Sequence, residues 1–272
     1  MIPLRDNVPA RTVPIVTVVL IAVNLAIFAM TALLPRGELE AFVFRYGLIP
    51  AKIFRPESIA AYYRHRLGLA VPYDYSLAES LLPLLTCMFL HGGVLHVVGN
   101  MWMLWIFGDN VEDALGHAAF LLFYVACGLA SSLVQTIASP FSPVATIGAS
   151  GAIAGVMGAY MVLYPYARVM TFVWFLFYID VWPIPAFLFL FYWFLIQFLS
   201  GMSTLGGDVL AGGIAWWAHI GGFLAGLGFV LFSGIRPAQK AVRPYARQGY
   251  YFDPRTGRFV AVRRQSSEDA DL

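Results

Sequence analysis

The chain has 272 residues, 60% of them hydrophobic and 12% charged, with a formal net charge of +2 and a mean hydropathy of +0.74. Soluble domains carry about a quarter of their residues as charges, so this balance excludes a soluble globular protein and offers no basic surface for a nucleic-acid partner. Uncharged stretches recur at lengths near the ~20 residues a helix needs to cross the hydrocarbon core, which predicts an integral membrane protein built of helices rather than a barrel.

Residues 1–14 carry Arg5 and Arg11 and precede the first apolar stretch, Ile15 to Leu34. That stretch is too long for a signal-peptide core and lacks a small-residue cleavage site, so it is predicted to be a retained first span. From Pro35 to about Pro83 runs a long polar loop with six basic and five acidic residues. The uncharged run from Leu81 to Gly108 is broken by His91-Gly92-Gly93, which places span two at about His96 to Leu115. No Asp, Glu, Lys or Arg occurs between Asp113 and Arg168, room for two crossings that turn at Ser139-Pro140-Phe141-Ser142-Pro143. Spans three and four are thus expected at about Ala118 to Ile137 and Ser150 to Tyr164. Arg168 to Pro185, aromatic and interrupted by Asp180 and two prolines, reads as an interfacial excursion. Spans five and six follow at about Ile184 to Leu199 and Ile214 to Phe232.

Eight of the 17 basic residues follow the last span, so the basic ends place both termini on the cytoplasmic side and require an even number of crossings, six. The expected organisation is a cytoplasmic N-terminus over 1–14, one membrane domain over 15–234, and a basic cytoplasmic tail over 235–272. The tail reads as a flexible segment beside anionic headgroups, with a small hairpin around Asp253 to Gly257 as the alternative. Cys87 and Cys127 sit in apolar surroundings in different segments and suggest neither a disulfide nor a metal site. His65 and His117 read as solvated or interfacial, and the Trp and Phe clusters at 172–194 as lipid-facing belts.

Strongly polar side chains at membrane depth are costly and need a reason. His96, Asn100, Ser150 and His219 all fall at or near the starts of spans two, four and six, which run in the same direction, so they share one depth near the outer face. His96 and Asn100 are spaced i, i+4 on one helix face. Gly151, Gly155 and Gly158 stripe span four, and Gly222 and Gly226 stripe span six below His219. Glycine-striped helices can approach backbone to backbone, which would bring His219 to Ser150, while Gly148 and Ala149 leave room for a substrate backbone. A serine beside a neutral imidazole is an activated nucleophile. The start of a helix favours developing negative charge, and His96 and Asn100 are natural donors to an oxyanion. Acyl transfer, most simply peptide hydrolysis by a dyad, is the chemistry this set predicts.

In "GASG" at 148–151, "AHIGG" at 218–222, "HGGVLHVVGN" at 91–100 and the Gly108, Glu112, Gly116 pattern, the chain resembles the rhomboid family of intramembrane serine proteases. The resemblance implies an all-α, six-transmembrane-helix rhomboid fold with a long outer loop between helices 1 and 2. It implies Ser150 as nucleophile, His219 as general base, and His96 and Asn100 as oxyanion donors. His91 matches a second histidine of the loop before span two, and Glu112 a structural acid at the cytoplasmic end of that span. Transmembrane protein substrates cut near the outer surface, the lipid bilayer as setting, no metal and no cofactor are implied as well, in a bacterial inner membrane. Two departures stand out. Ala154 occupies the position where some relatives carry an aromatic ring that stacks on the base, so what orients His219 is left open, with Trp216 and Trp217 as candidates, and the first outer loop has no Trp-Arg pair.

Three other readings compete. A catalytically inactive relative would bind membrane helices without cutting them. A haem protein would use His96 and His219 as axial ligands, but Asn100 and the Gly-Ala-Ser-Gly setting would then have no role. A transporter would carry ionisable residues through both leaflets, whereas here they collect near one side.

Overall fold

A computed structural model describes residues 2–68, 76–175, 178–204, 214–235, 248–253 and 258–263. In chain order the elements are β1 (Ile2–Asp6), α1 (Ile15–Ala32), α2 (Arg36–Tyr46), α3 (Pro50–Phe54), α4 (Pro56–Leu67), α5 (Leu77–Leu81) and α6 (Pro83–Thr86). There follow α7 (Val94–Leu115), α8 (His117–Ala138), α9 (Ser150–Leu163), β2 (Arg168–Phe175), β3 (Tyr178–Pro185), α10 (Ala186–Thr204), α11 (Trp216–Ser233), β4 (Gln248–Asp253) and β5 (Arg258–Arg263). Helices occupy all six stretches expected to span, and the protein is mostly helical.

By length and composition α1, α8, α10 and α11 can each cross a membrane. Ala78–Phe89 and Val94–Leu115 together pass as a fifth, bent by 76° at the His91-Gly92-Gly93 break. The remaining stretch, α9, has only 14 residues, a rise of ~21 Å against a ~30 Å hydrocarbon core. It does not face lipid. Every residue from Gly151 to Tyr160 is buried, so α9 is the central post around which the longer helices pack. Phe107, Phe120, Tyr124, Tyr160 and Phe223 are the largest fully buried side chains of that core.

Two close approaches fix the helices around α9. A Cβ on Gly222 or Gly226 would run into the carbonyl oxygen of Gly151 or Gly155, so α11 lies backbone to backbone on α9. On another side, Gly155 faces Cys127 and Gly151 faces Ser131 of α8. Glu112, fully buried, reaches from α7 to the start of α1, where its two carboxylate oxygens accept the N–H groups of Val16 and Thr17, both at 2.8 Å. These are among the helix N–H groups that have no partner within the helix, and a carboxylate there also meets the positive end of the dipole. His117 Nδ1 closes on the same carboxylate at 2.6 Å and is tied to it rather than simply solvated.

The 35–83 segment is less loop-like than its polarity suggests. It folds into α2, α3, α4 and α5 around a small core of Phe44, Ile49, Ile59 and Tyr63, and Ser76 with Glu79 closes a reciprocal cap on α5. This unit docks on the chain between α8 and α9. Leu48 and Thr146 exchange backbone hydrogen bonds at 3.0 and 2.7 Å, Ala51 N–H donates to the Ser142 carbonyl at 3.1 Å, and the Tyr63 hydroxyl donates to the Pro143 carbonyl at 2.9 Å.

Arg168 to Pro185 is the antiparallel hairpin β2–β3, joined at its edge by β1 in the order β1-β2-β3. It adds a small sheet to the helical body. Periodicity explains it: Val169, Thr171 and Val173 turn inward and are buried, whereas Trp174 and Ile179, paired across the strands, are exposed. Asp6 holds the end of β1 to the helices by accepting the Tyr160 hydroxyl and Asn110 Nδ2, and its burial pushes its carboxyl up to about 6. In the tail, β4 and β5 pair antiparallel from Gln248↔Arg263 to Asp253↔Arg258, so the hairpin rather than a fully flexible tail is what forms. Its turn lies outside the described residues.

Candidate active site

Ser150 opens α9, immediately after the run that the helical unit of residues 35–83 holds in place. Gly148 N–H donates to the Cys87 carbonyl at 2.9 Å, and Gly148 takes φ +129°, a conformation that side-chain-bearing residues rarely adopt. A Cβ there would also strike the His96 ring, so glycine is required twice over. The segment thus turns sharply just before the serine and delivers its hydroxyl at the first helical position.

His219 lies in the first turn of α11, brought in by the Gly151–Gly222 contact one turn below. Its Nε2 is 2.7 Å from Ser150 Oγ. Its other ring nitrogen, Nδ1, is 2.8 Å from Oε1 of Gln197 on α10. Both ring nitrogens are thus engaged by side chains of other helices. The Trp193 ring lies 5.6 Å from the imidazole, centroid to centroid, and Trp216 approaches it edge-on at 6.3 Å.

Ser150 and His219 line a cavity of about 1140 Å³ together with His96 and Asn100 of α7. Gly92 N–H donates to His96 Nδ1 at 3.4 Å, which leaves the ring proton on Nε2, the nitrogen turned toward Gly148. Asn100 is buried, and its Nδ2 has no partner among the described residues. A buried amide donor left without a partner costs about 1–3 kcal/mol, and this one sits in the wall of the cavity that holds the serine. His91 is set behind this row: its ring meets that of His96 edge to face, 5.1 Å apart, and it is not part of the cavity wall. Glu112, Gly155 and Gly226 lie away from the serine hydroxyl and act on packing. Among the described residues no three His, Cys, Asp or Glu side chains converge to hold a metal ion.

Sequence reasoning passed over Gln197 and the polar face of α8. Ser131, Ser132 and Gln135 also line the cavity, and Gln135 Oε1 accepts the Ala218 N–H at 3.1 Å, capping α11 beside the histidine. The signal was available. An amide in an aromatic span, and small polar residues at i, i+1 and i+4 in another, are intramembrane polar groups of the kind that calls for a partner.

Comparison with known proteins follows the same residues. A family model described as a Rhomboid domain matches residues 78–235, which contain every one of these side chains. RHOMBOID-like protein 5 of Arabidopsis thaliana is 32% identical over 171 residues, 61% of this chain and 49% of that protein. RHOMBOID-like protein 1 of the same plant is 27% identical over 229 residues, 80% of this chain and 53% of that protein. Rhomboid protease GluP of Bacillus subtilis is 43% identical over 76 residues, 28% of this chain and 14% of that protein. These matches span about half the length of the relatives, or less.

Proposed function

The chain belongs to the rhomboid family, and on that premise we propose that it is an intramembrane serine endopeptidase that cuts transmembrane-helix proteins near the outer membrane surface. The observation that carries the reading is the 2.7 Å contact of Ser150 Oγ with His219 Nε2 inside a cavity walled by membrane helices. Non-helical backbone is tolerated at membrane depth only where protein buries it or where it lines a wet cavity, and residues 144–148 before Ser150 line this one.

The steps follow from the geometry. Nε2 of His219 takes the Ser150 proton as Oγ attacks the scissile carbonyl carbon, giving a tetrahedral intermediate with negative charge on the former carbonyl oxygen. His96 Nε2–H, Asn100 Nδ2–H and the free N–H groups at the start of α9 stabilise that oxygen, with each side-chain donor worth ~3 kcal/mol. The imidazolium returns its proton to the departing amine nitrogen as the C–N bond breaks, leaving an ester on Ser150. A water then gives one proton to His219 and attacks the ester carbon, the C–Oγ bond breaks as the imidazolium returns that proton to Ser150 Oγ, and the carboxylic acid product leaves and ionises. The polar side chains of α8 provide the wetted wall that this second half requires. The setting we propose is a bacterial inner membrane, and the basic residues before the first and after the last apolar helix favour cytoplasmic termini in it.

The test compares wild type with Ser150→Ala on a model transmembrane substrate in detergent, together with labelling by a fluorophosphonate. Cleavage and labelling are expected in the wild type alone. Equal cleavage by both proteins would refute the mechanism, and a wild type that binds the substrate without cutting or labelling would leave an inactive helix-binding relative.

A further inference from the structure

The geometry points to Gln197 as the positioning residue that fixes the general base, a role that rests on the proposed protease reading. Gln197 is a buried amide on a helix that otherwise faces outward. Of the 19 residues of α10, only Ala186, Leu190, Gln197 and Gly201 are buried, a single stripe against the rest of the molecule. An amide at membrane depth is unfavourable unless both its ends are hydrogen-bonded.

Both ends are. Gln197 Nε2 donates to the Trp193 carbonyl at 3.2 Å, one turn earlier in the same helix. That bond settles which way the amide points, because the reverse orientation would press its oxygen against a carbonyl oxygen. The oxygen Oε1 is therefore the atom 2.8 Å from His219 Nδ1. An amide oxygen only accepts, so Nδ1 must carry the ring proton. A neutral imidazole has one proton, and with Nδ1 holding it, Nε2 presents a lone pair to the Ser150 hydroxyl 2.7 Å away. The opposite tautomer would offer a N–H to the serine and leave it unactivated. Gln197 thus does for this histidine what an acidic third residue does in other serine hydrolases, selecting the tautomer and aiming the ring, with a neutral group suited to the membrane interior. Trp193, whose ring lies beside the imidazole and whose carbonyl anchors the amide, supports the arrangement from the same turn. The base is set by a helix that supplies neither nucleophile nor base, so catalytic competence depends on the seating of α10.

Two substitutions and a spectrum test this. Gln197→Met keeps the chain length and removes the acceptor; it is expected to lower kcat roughly 10-fold or more while KM stays within about two-fold, because the loss falls on proton transfer rather than on binding. Gln197→Glu keeps an acceptor oxygen in either protonation state and is expected to stay within about three-fold of wild type. Nitrogen-15 histidine spectra of the resting protein, which require no substrate, are expected to show Nδ1 of His219 protonated in wild type and Gln197→Glu, and a mixture of tautomers in Gln197→Met. A wild-type kcat in Gln197→Met, equal losses in both variants, or an unchanged tautomer in Gln197→Met would overturn the inference. Cleavage that does not depend on Ser150 would remove the proposed function instead, and the tautomer measurement would still decide the role of Gln197.

Discussion

Gly222→Ala is the sharpest probe of how α9 and α11 make the site. The added methyl group would overlap the Gly151 carbonyl oxygen, which belongs to helix backbone and cannot turn aside. Relief requires α11 to withdraw until carbon and oxygen regain ordinary contact at about 3.5 Å, a retreat of more than an ångström. The Ser150–His219 bond starts at 2.7 Å, so the same movement carries it past the limit at which a hydrogen bond counts. Loss of a positioned base is worth ~10²–10⁴ in rate, whereas overpacking of this kind costs ~1–3 kcal/mol of stability. The expected result is a protein that still folds, with a lower melting temperature, and has lost at least about 100-fold in cleavage rate and in fluorophosphonate labelling of Ser150. Gly228→Ala is the matched control: a Cβ there meets nothing within 4 Å, so it gains helix propensity and keeps full activity. Wild-type cleavage by Gly222→Ala, or equal inactivation by Gly228→Ala, would refute the reasoning.

Glu112→Gln turns one of two acceptors for the α1 backbone into a donor and removes the charge at that helix end. The expected loss is ~1–3 kcal/mol, read as a lower thermal midpoint in detergent, and an unchanged midpoint would contradict the assigned role. For Asp6, burial raises the native carboxyl to about 6 from an ordinary 3.8. The native state keeps a proton that the unfolded chain releases, so this contribution to stability is complete below the ordinary value and fades as pH rises through about 6. Asp6→Asn cannot titrate, and the midpoint of the wild type relative to this variant should fall between about pH 4 and pH 7; a constant difference would exclude the effect.

What the sequence made readable followed from composition and from side chains that violate it. Apolar stretches with few charges locate α1, α7, α8, α9, α10 and α11 because lipid allows so few alternatives, and His96, Asn100, Ser150 and His219 stand out because polar groups are rare in such stretches. The glycine stripes were readable for a related reason, since only a close backbone approach explains Gly151, Gly155, Gly222 and Gly226 at helical spacing. The helical unit over 35–83 was hidden because its polarity matches that of a loop and its core is only a few side chains, Phe44, Ile49, Ala51, Ile59, Ala60 and Tyr63. The β2–β3 hairpin was hidden because proline and aromatic residues at an interface fit several conformations, and its pairing with β1 depends on residues far away in the chain. Gln197 was missed because it is uncharged, and its meaning lies in a partner on another helix.

The exchange of hydrogen bonds between Leu48 and Thr146 has a bearing on how the protein comes into being. The run leading to Ser150 is held by a unit synthesised before α7 and α8. The chain must thread both of those helices into the bilayer before the two backbones can meet. Until then the residues ahead of the serine have no template, Gly148 has no cause to hold its turn, and the hydroxyl has no fixed bearing toward the histidine. A site made this way stays incomplete through insertion and is closed only when α11 brings His219 to Ser150.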